Sequence, residues 1–244
     1  MMKKLDIVPP NENFRGRSYG EWASEWLKWV VSGDPDSYSK EEPIIFLRAN
    51  IDYSQVEGAQ NGYRENATTH FDRTLDKGID IHGETAIFFP VVEANFLIGC
   101  KNPEDKNKLL KTDEELRYYA RKDIDSGWEI GSYIAMKNRK PRPLVSNLKQ
   151  SRAESQLFKI HVSEKSYLKN KMEEELRAGV FNAVTDGYWI LIRELRPEEE
   201  PYRIYFEAKK GTYYHYSATY DIFVSPRPRS IFQDKSSSIV RKHM

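Results

Sequence analysis

Three tryptophans, Trp22, Trp26 and Trp29, recur at intervals of four and three residues near the start of the chain. On a helix these positions share one face, so the indole rings form a single stripe. Ser18 precedes the stripe and a glutamate follows that serine three residues later, which is the pattern of a capping box at a helix start. We therefore predict an amphipathic helix over residues 18–31 that buries its indoles against a large apolar surface and pairs each indole N–H. The alternative is a row of exposed rings that stacks on sugars, although such a stripe is more often core.

The rest of the chain supplies that surface as predicted β-strands. A second capping box, Thr112 with Glu115, predicts one further helix that ends before Gly127. Strands at intervals of roughly 10–15 residues with short turns predict a mainly β fold, an antiparallel, jelly-roll-like β-sandwich with the N-terminal tryptophan helix and one or two further short helices. The predicted strands cover residues 43–49, 86–92, 128–136, 157–162, 188–192, 202–207 and 213–224.

We expect one domain with two appendages. Residues 1–17 contain Pro9-Pro10 and no core pattern, and are predicted to be an extended arm. Residues 18–224 form the sandwich domain, and residues 225–244 form a basic tail rich in proline and serine. Residues 50–78 are polar, and their pattern leaves open whether they form an ordered lobe. The charged segment 165–177 is predicted as either a short helix or a solvated loop.

Composition excludes several classes of protein. The net charge of +1 argues against bulk electrostatic binding to nucleic acid or to an anionic membrane. No run of 18 apolar residues occurs, so no transmembrane helix is expected. Residues 1–4, Met-Met-Lys-Lys, precede no apolar stretch, so we expect no secretion by a signal peptide. Cys100 is the single cysteine, which excludes an internal disulfide and fits a reducing compartment.

Three blocks of sequence carry a resemblance to a known family. They are Ser18–Ala23 with Trp26 and Trp29, then Ala86–Val92, then Thr185–Leu191 followed by Pro197 and Thr219–Val224. In this order they resemble a family of uncharacterised bacterial and archaeal proteins, with phage-borne members expected among them. The resemblance implies a β-sandwich with a packed N-terminal helix and implies no activity. The family pattern has a cysteine just ahead of the Phe-Phe-Pro block, where this chain has residues 82–85, and Asn-Ala-Glu after it, where this chain has Glu93-Ala94-Asn95.

Asp80, His82 and Glu84 are the sharpest candidates for metal binding. Residues two apart on a strand share a face, so the three side chains would lie side by side. His70 and Asp72 show the same spacing ten residues earlier. A mixed carboxylate and imidazole set suits Fe(II), Mn or Zn, and cupin-like sites lie in such sandwiches. Because a two-histidine signature is absent and a glycine interrupts the segment, the alternative is a solvated strand edge.

Glu93 is a second candidate, because it directly follows the apolar segment 88–92. A buried carboxylate has a raised pKa unless it is paired, and such groups cluster at functional sites. The alternative is an ion pair with Arg48, Arg193 or another arginine.

The segment 137–152 contains six lysines and arginines and no acidic residue. Its two prolines, Pro141 and Pro143, predict that it is an exposed arm. No aromatic residues are interleaved, so the segment lacks a stacking platform for nucleic acid, and nucleic-acid binding is not expected. Docking onto neighbouring proteins is the expected role of this arm, of the N-terminal arm and of the C-terminal tail. The predicted docking residues are Arg139, Lys140, Arg142, Arg227 and Arg229.

Two hypotheses about function follow. The sequence holds no phosphate-binding glycine loop, no Gly-x-Ser-x-Gly elbow and no Cys-x-x-Cys pair, so neither a cofactor nor a catalytic apparatus is predicted. The first hypothesis is a non-enzymatic structural protein, in its specific form a virion component of a phage capsid, neck or tail. It would dock onto other protein subunits, copies of itself included, and would lie in the virion if a phage encodes it and otherwise in the cytoplasm. The alternative is a metal-dependent or carbohydrate-binding sandwich with a small-molecule site near Asp80, His82 and Glu84.

Overall fold

Two β-sheets pack face to face, and two α-helices cover the outer parts of the first sheet. The computed structural model describes residues 5–32, 44–47, 79–82, 84–136, 140–163, 178–211 and 214–226. The strands in this part are β1 (Asp6–Ile7), β2 (Ile44–Phe46), β3 (Ile79–His82), β4 (Ala86–Leu97), β5 (Glu129–Met136), β6 (Arg142–Pro143), β7 (Arg152–Glu154), β8 (Phe158–Val162), β9 (Gly179–Glu194), β10 (Tyr202–Lys210) and β11 (Tyr214–Ser225). The mainly β sandwich is therefore confirmed, and the jelly-roll form of it stays a prediction.

Both helices begin where the capping boxes place them. Helix α1 spans Tyr19–Val31 and helix α2 spans Asp113–Ile124. At the start of α1 the Glu21 carboxylate accepts a hydrogen bond from the Ser18 backbone N–H at 2.7 Å, and the Ser18 hydroxyl accepts one from the Glu21 N–H at 3.3 Å. Thr112 and Glu115 make the same reciprocal pair ahead of α2. Each pair satisfies two N–H groups that would otherwise lack a partner at a helix start.

Strand β9 is the spine of the first sheet. From Ala183 to Ile192 one edge of β9 pairs antiparallel with β4. Its other edge pairs in turn with β8, β7 and β1, all antiparallel. The third block of the resemblance lies in the middle of β9, at the point where β7 joins it. Any side chain on this stretch therefore lies between two neighbouring strands.

The second sheet has the strand order β3–β11–β10–β5–β6. Most strand pairs of the two sheets are antiparallel, as predicted, but two are not, because β3 runs parallel to β11 and, in the first sheet, β2 runs parallel to β4. Parallel neighbours require a crossover connection rather than a hairpin. Between the parallel neighbours β2 and β4 of the first sheet, the chain contributes β3 to the second sheet. An alternating apolar pattern does not encode strand direction, so these two parallel pairings were not predictable from the sequence.

Two apolar cores lie on opposite faces of the first sheet. Between the sheets, Phe89 stacks on Phe206 with ring centroids 4.8 Å apart. On the other face, Trp189 stacks on Phe88 at 5.2 Å and meets Trp26 of α1 edge to face at 5.4 Å. The tryptophan helix thus packs as predicted, and this excludes the exposed sugar-stacking platform.

The segments predicted as arms are partly built into the sheets. Strand β1 of the N-terminal arm joins the first sheet, and Val8 is fully buried. In the basic segment, β6 pairs with β5, and Leu144 is buried and donates its N–H to Ser132 O at 2.9 Å. From residue 142 onward the expectation of a free arm is therefore wrong, while the expected exposure holds for residues 143, 146, 147, 149 and 150. Pro143 is compatible with a strand because β6 is an edge strand, where no partner needs its missing N–H. Residues 50–78 and 165–177 lie outside the described part of the chain.

Candidate functional site

The Thr185–Trp189 block of β9 fastens β7 to the sheet. Ser155 donates its backbone N–H to Thr185 O at 2.8 Å, and its hydroxyl accepts the Thr185 N–H at 3.0 Å. The indole N–H of Trp189 donates to Ala153 O at 3.0 Å. A Cβ on Gly187 would lie 2.5 Å from Val92 O, so only glycine permits this close approach of β4 to β9.

The N-terminal block fastens α1 and the arm in the same way. The Tyr19 hydroxyl donates to Val8 O and accepts the backbone N–H of Leu191 at 3.1 Å. The Trp22 indole N–H donates to Phe14 O at 3.1 Å, and that of Trp26 donates to Leu47 O at 2.8 Å. These contacts give the predicted partners for two of the three indoles. The Trp29 ring packs against Phe46, with centroids 5.9 Å apart.

Ion pairs join α2 to β7 and β9. Arg117 and Arg121 of α2 both bind the Glu154 carboxylate. Burial raises the pKa of that carboxyl, but the hydrogen bonds from the two arginines outweigh burial and the pKa is lowered.

A second pair lies beside this one on the same sheet. The fully buried Asp186 carboxylate accepts a hydrogen bond from Arg152 at 2.6 Å, and Arg152 also binds Asp125. The Asp186 hydrogen bond is the main reason that the pKa of Arg152 is raised. The charged residues of this region thus neutralise one another.

The predicted metal ligands lie at one edge of the second sheet. Asp80 is on β3 and exposed, while its neighbours Ile79 and Ile81 are buried. His82 is the last residue of β3, and Glu84 lies beyond the strand end and is exposed. Asp80 and His82 are therefore two apart on one strand, as predicted, whereas Glu84 does not belong to that strand. His70 and Asp72 lie outside the described residues. Within the described ranges no group of three or more His, Cys, Asp and Glu side chains is placed to hold a metal ion.

Two of the predicted docking residues are described. Lys140 is exposed, and Arg142 is half-buried on β6. Arg139, Arg227 and Arg229 lie outside the described part of the structure.

Arg142 lines a groove of about 740 Å³ that runs between the N-terminal arm and the segment after β6. The groove is lined by Leu5, Ile7, Val8, Pro9, Pro10 and Tyr19, by residues 142–147, Gln150 and Ser151, and by Trp189. Two segments that the sequence marked separately as docking arms thus both line one groove.

Glu93 has the raised pKa that the sequence analysis expects of a buried and unpaired carboxyl group. It lies on β4, half-buried, and opposite Gly187 of β9. Burial raises the pKa of its carboxyl to about 8, and the negative charge of Asp123 adds to the effect. The alternative that pairs it with Arg193 is wrong, since Arg193 binds Asp6 and Glu12 instead. Arg48 lies outside the described residues. Charging Glu93 is unfavourable because no described basic group compensates its charge.

Two further polar groups beside Glu93 were missed by sequence reasoning. Asn95 is the next residue of β4 on the same face, and Thr185 of β9 lies directly opposite it. The Asn95 Oδ1 and Thr185 Oγ1 atoms are both buried, and neither has a hydrogen-bond partner. The alternation of Glu93 and Asn95 was visible in the sequence. The pairing with a threonine 90 positions later was not, because it depends on the register of β4 against β9.

Comparison with known proteins adds no identification. None of the described helices is long and apolar enough to cross a membrane. No protein-family model, no curated protein and no solved structure matches the chain.

Proposed function

We propose that this protein is a non-enzymatic structural or assembly protein that receives a segment of a neighbouring protein subunit in the groove between its N-terminal arm and residues 142–151. The observation that carries the proposal is the convergence of the two predicted docking segments on that groove. Its walls combine apolar side chains, such as Ile7 and Val145, with polar ones, such as Asn147 and Gln150. Such a mixed lining is typical of surfaces that bind a protein segment.

The groove lies beside two sheet edges. Within the described strands, β1 ends the strand order of the first sheet on one side, and β6 ends that of the second. Edge strands present unpaired backbone N–H and C=O groups, and an extended peptide binds such an edge by main-chain hydrogen bonds. An extended segment of protein therefore fits this groove better than a compact small molecule.

The specific form that we propose is a virion component, located in the particle if a phage encodes it. Support for this form comes from fold alone, since β-sandwiches recur in viral capsids. It is an analogy of architecture, and a fold hosts many functions. Arg139, Lys140, Arg142, Arg227 and Arg229 are the proposed electrostatic contacts to the neighbouring subunits.

Light scattering on the untagged chain over a concentration series tests the assembly of copies of this chain. Gln150→Trp places a large side chain in the groove, and Lys149→Trp places the same side chain on the exposed neighbouring position that does not line it. We expect a closed oligomer for the wild type and for Lys149→Trp, and dissociation for Gln150→Trp. A wild type that stays monomeric over the whole series contradicts assembly through copies of this chain.

A further inference from the structure

Three oxygen-bearing side chains share one small area of the first sheet. Glu93 and Asn95 are two residues apart on β4, and no register shift separates them. Thr185 lies directly opposite Asn95 on β9. Since residues two apart on a strand share a face, the three side chains project to the same side.

The register brings Asn95 and Thr185 close together. Both backbone groups of Thr185 bond to Ser155 on the β7 side, so they do not bond to β4. The Asn95–Thr185 pair is therefore the non-hydrogen-bonded type, in which the Cα atoms lie only about 4.5 Å apart. Even so, neither Asn95 Oδ1 nor Thr185 Oγ1 has a hydrogen-bond partner, although both atoms are buried.

A buried oxygen without a partner costs free energy, and two of them side by side, next to a carboxyl group that no described basic side chain pairs with, indicate a missing ligand. Thr185 is fully buried, with 0% of its surface exposed. Glu93 and Asn95 are only half-buried. Solvent can therefore reach this set of three side chains from the β4 side, whereas Thr185 on β9 is inaccessible. The described part of the structure places no basic side chain in an ion pair with Glu93.

We propose that Glu93, Asn95 and Thr185 form a binding site for a hard metal cation, Ca²⁺ in the first place. A carboxylate, an amide oxygen and a hydroxyl are oxygen ligands, and Ca²⁺ accepts six to eight of them in flexible geometry, waters included. Mg²⁺ is disfavoured because it demands a near-ideal octahedron that side chains fixed on two strands do not supply. A single carboxylate makes the site weak, with a Kd on the order of 10⁻⁴–10⁻³ M.

The test is calorimetric titration of Ca²⁺ into the full-length protein after treatment with a chelator, with thermal unfolding measured in parallel. Mg²⁺, Na⁺ and K⁺ are titrated for comparison. Thr185→Val removes the hydroxyl while nearly keeping the shape, and Asn95→Leu removes the amide oxygen. The matched control is Ser132→Ala, because Ser132 Oγ is another buried hydroxyl without a partner, on β5 of the second sheet.

We expect Ca²⁺ to raise the Tm of the wild type and of Ser132→Ala equally, and to bind Thr185→Val and Asn95→Leu at least tenfold more weakly. If Thr185→Val fails to fold, Glu93→Gln replaces it with the same expectation. The proposal is overturned if Ca²⁺ does not bind the wild type, or if it binds the variants at the three positions as tightly as the wild type. Tighter binding of Mg²⁺ than of Ca²⁺ would also overturn it.

Discussion

The Tyr19 hydroxyl is a single group that holds the N-terminal arm to the first sheet. It donates to Val8 O and accepts from the Leu191 N–H, and Val8 N–H in turn donates to Leu191 O at 3.0 Å. Tyr19→Phe keeps the ring and deletes only the hydroxyl, so it leaves one buried carbonyl and one buried N–H without a partner. Each such orphan costs about 1–3 kcal/mol.

Values near the lower end of that range, about 1–1.5 kcal/mol for each of the two groups, apply here. Val8 and Tyr19 both line the groove of about 740 Å³, so water can reach the orphaned groups and replace part of the lost bonding. We expect Tyr19→Phe to lower the free energy of unfolding by about 2–3 kcal/mol. For a chain of this size that corresponds to a fall in Tm of roughly 4–12 °C.

Urea unfolding followed by tryptophan fluorescence gives the free energy, and hydrogen exchange gives the local effect at Val8 and Leu191. The matched control is Tyr118→Phe, because Tyr118 is 53% exposed on α2 and should cost less than about 0.5 kcal/mol. Equal effects of the two variants, or unchanged exchange at Val8 and Leu191, would refute the role of the hydroxyl as the fastening of the arm.

Three further predictions concern the centre of the first sheet. Gly187→Ala should lower the free energy of unfolding in urea by about 3 kcal/mol, because the new Cβ meets the backbone oxygen of Val92 at 2.5 Å. The control Gly131→Ala should lower it by less than about 1 kcal/mol, because its Cβ meets only the movable ring of Tyr133. Equal losses in the two variants would contradict the close approach of β4 to Gly187. Asp186→Asn should lower the free energy of unfolding by about 2–3 kcal/mol, because it leaves Arg152 without its buried partner. The control Asp221→Asn, in the surface pair with Arg203, should lower it by less than about 1 kcal/mol. Burial raises the pKa of Glu93 in the folded protein to about 8. The protonated side chain therefore contributes its full share to the free energy of unfolding below pH ~4.5, and this contribution is lost as the pH rises to 8. In cation-free buffer, Glu93→Gln should gain stability relative to the wild type between pH 5 and pH 8, and a pH-independent difference would contradict the shift.

The family-like blocks turn out to have architectural roles. Trp26 and Trp189 are 163 positions apart in the sequence and meet edge to face in the core under α1. Gly20 of the first block would clash with Glu154 O if it carried a Cβ, so α1 lies directly against β7. Asp186 of the third block binds Arg152 of β7. The described contacts of these residues join parts of the chain that lie far apart in the sequence.

The sequence by itself determined the local elements of this protein. A capping box is a contact between residues three apart, and the indole stripe is a spacing of three and four, so both can be recognised within a few residues. The helices at Tyr19–Val31 and Asp113–Ile124 and the strand after Ala86 were predictable for that reason. The apolar neighbours of Glu93 along the chain marked it as a buried carboxyl group, but only the structure decided that Arg193 pairs elsewhere and that the pKa of Glu93 is raised.

Only the tertiary structure decided which strands are neighbours, in which direction and in which register. Asn95 meets Thr185 through the register of β4 against β9, and a slip of one residue would place them on opposite faces. The groove likewise exists because the chain returns residues 142–151 to the arm at residues 5–10. These arrangements depend on contacts between distant parts of the chain, whose free energy is set by packing the whole sandwich, and no local pattern of residues encodes them.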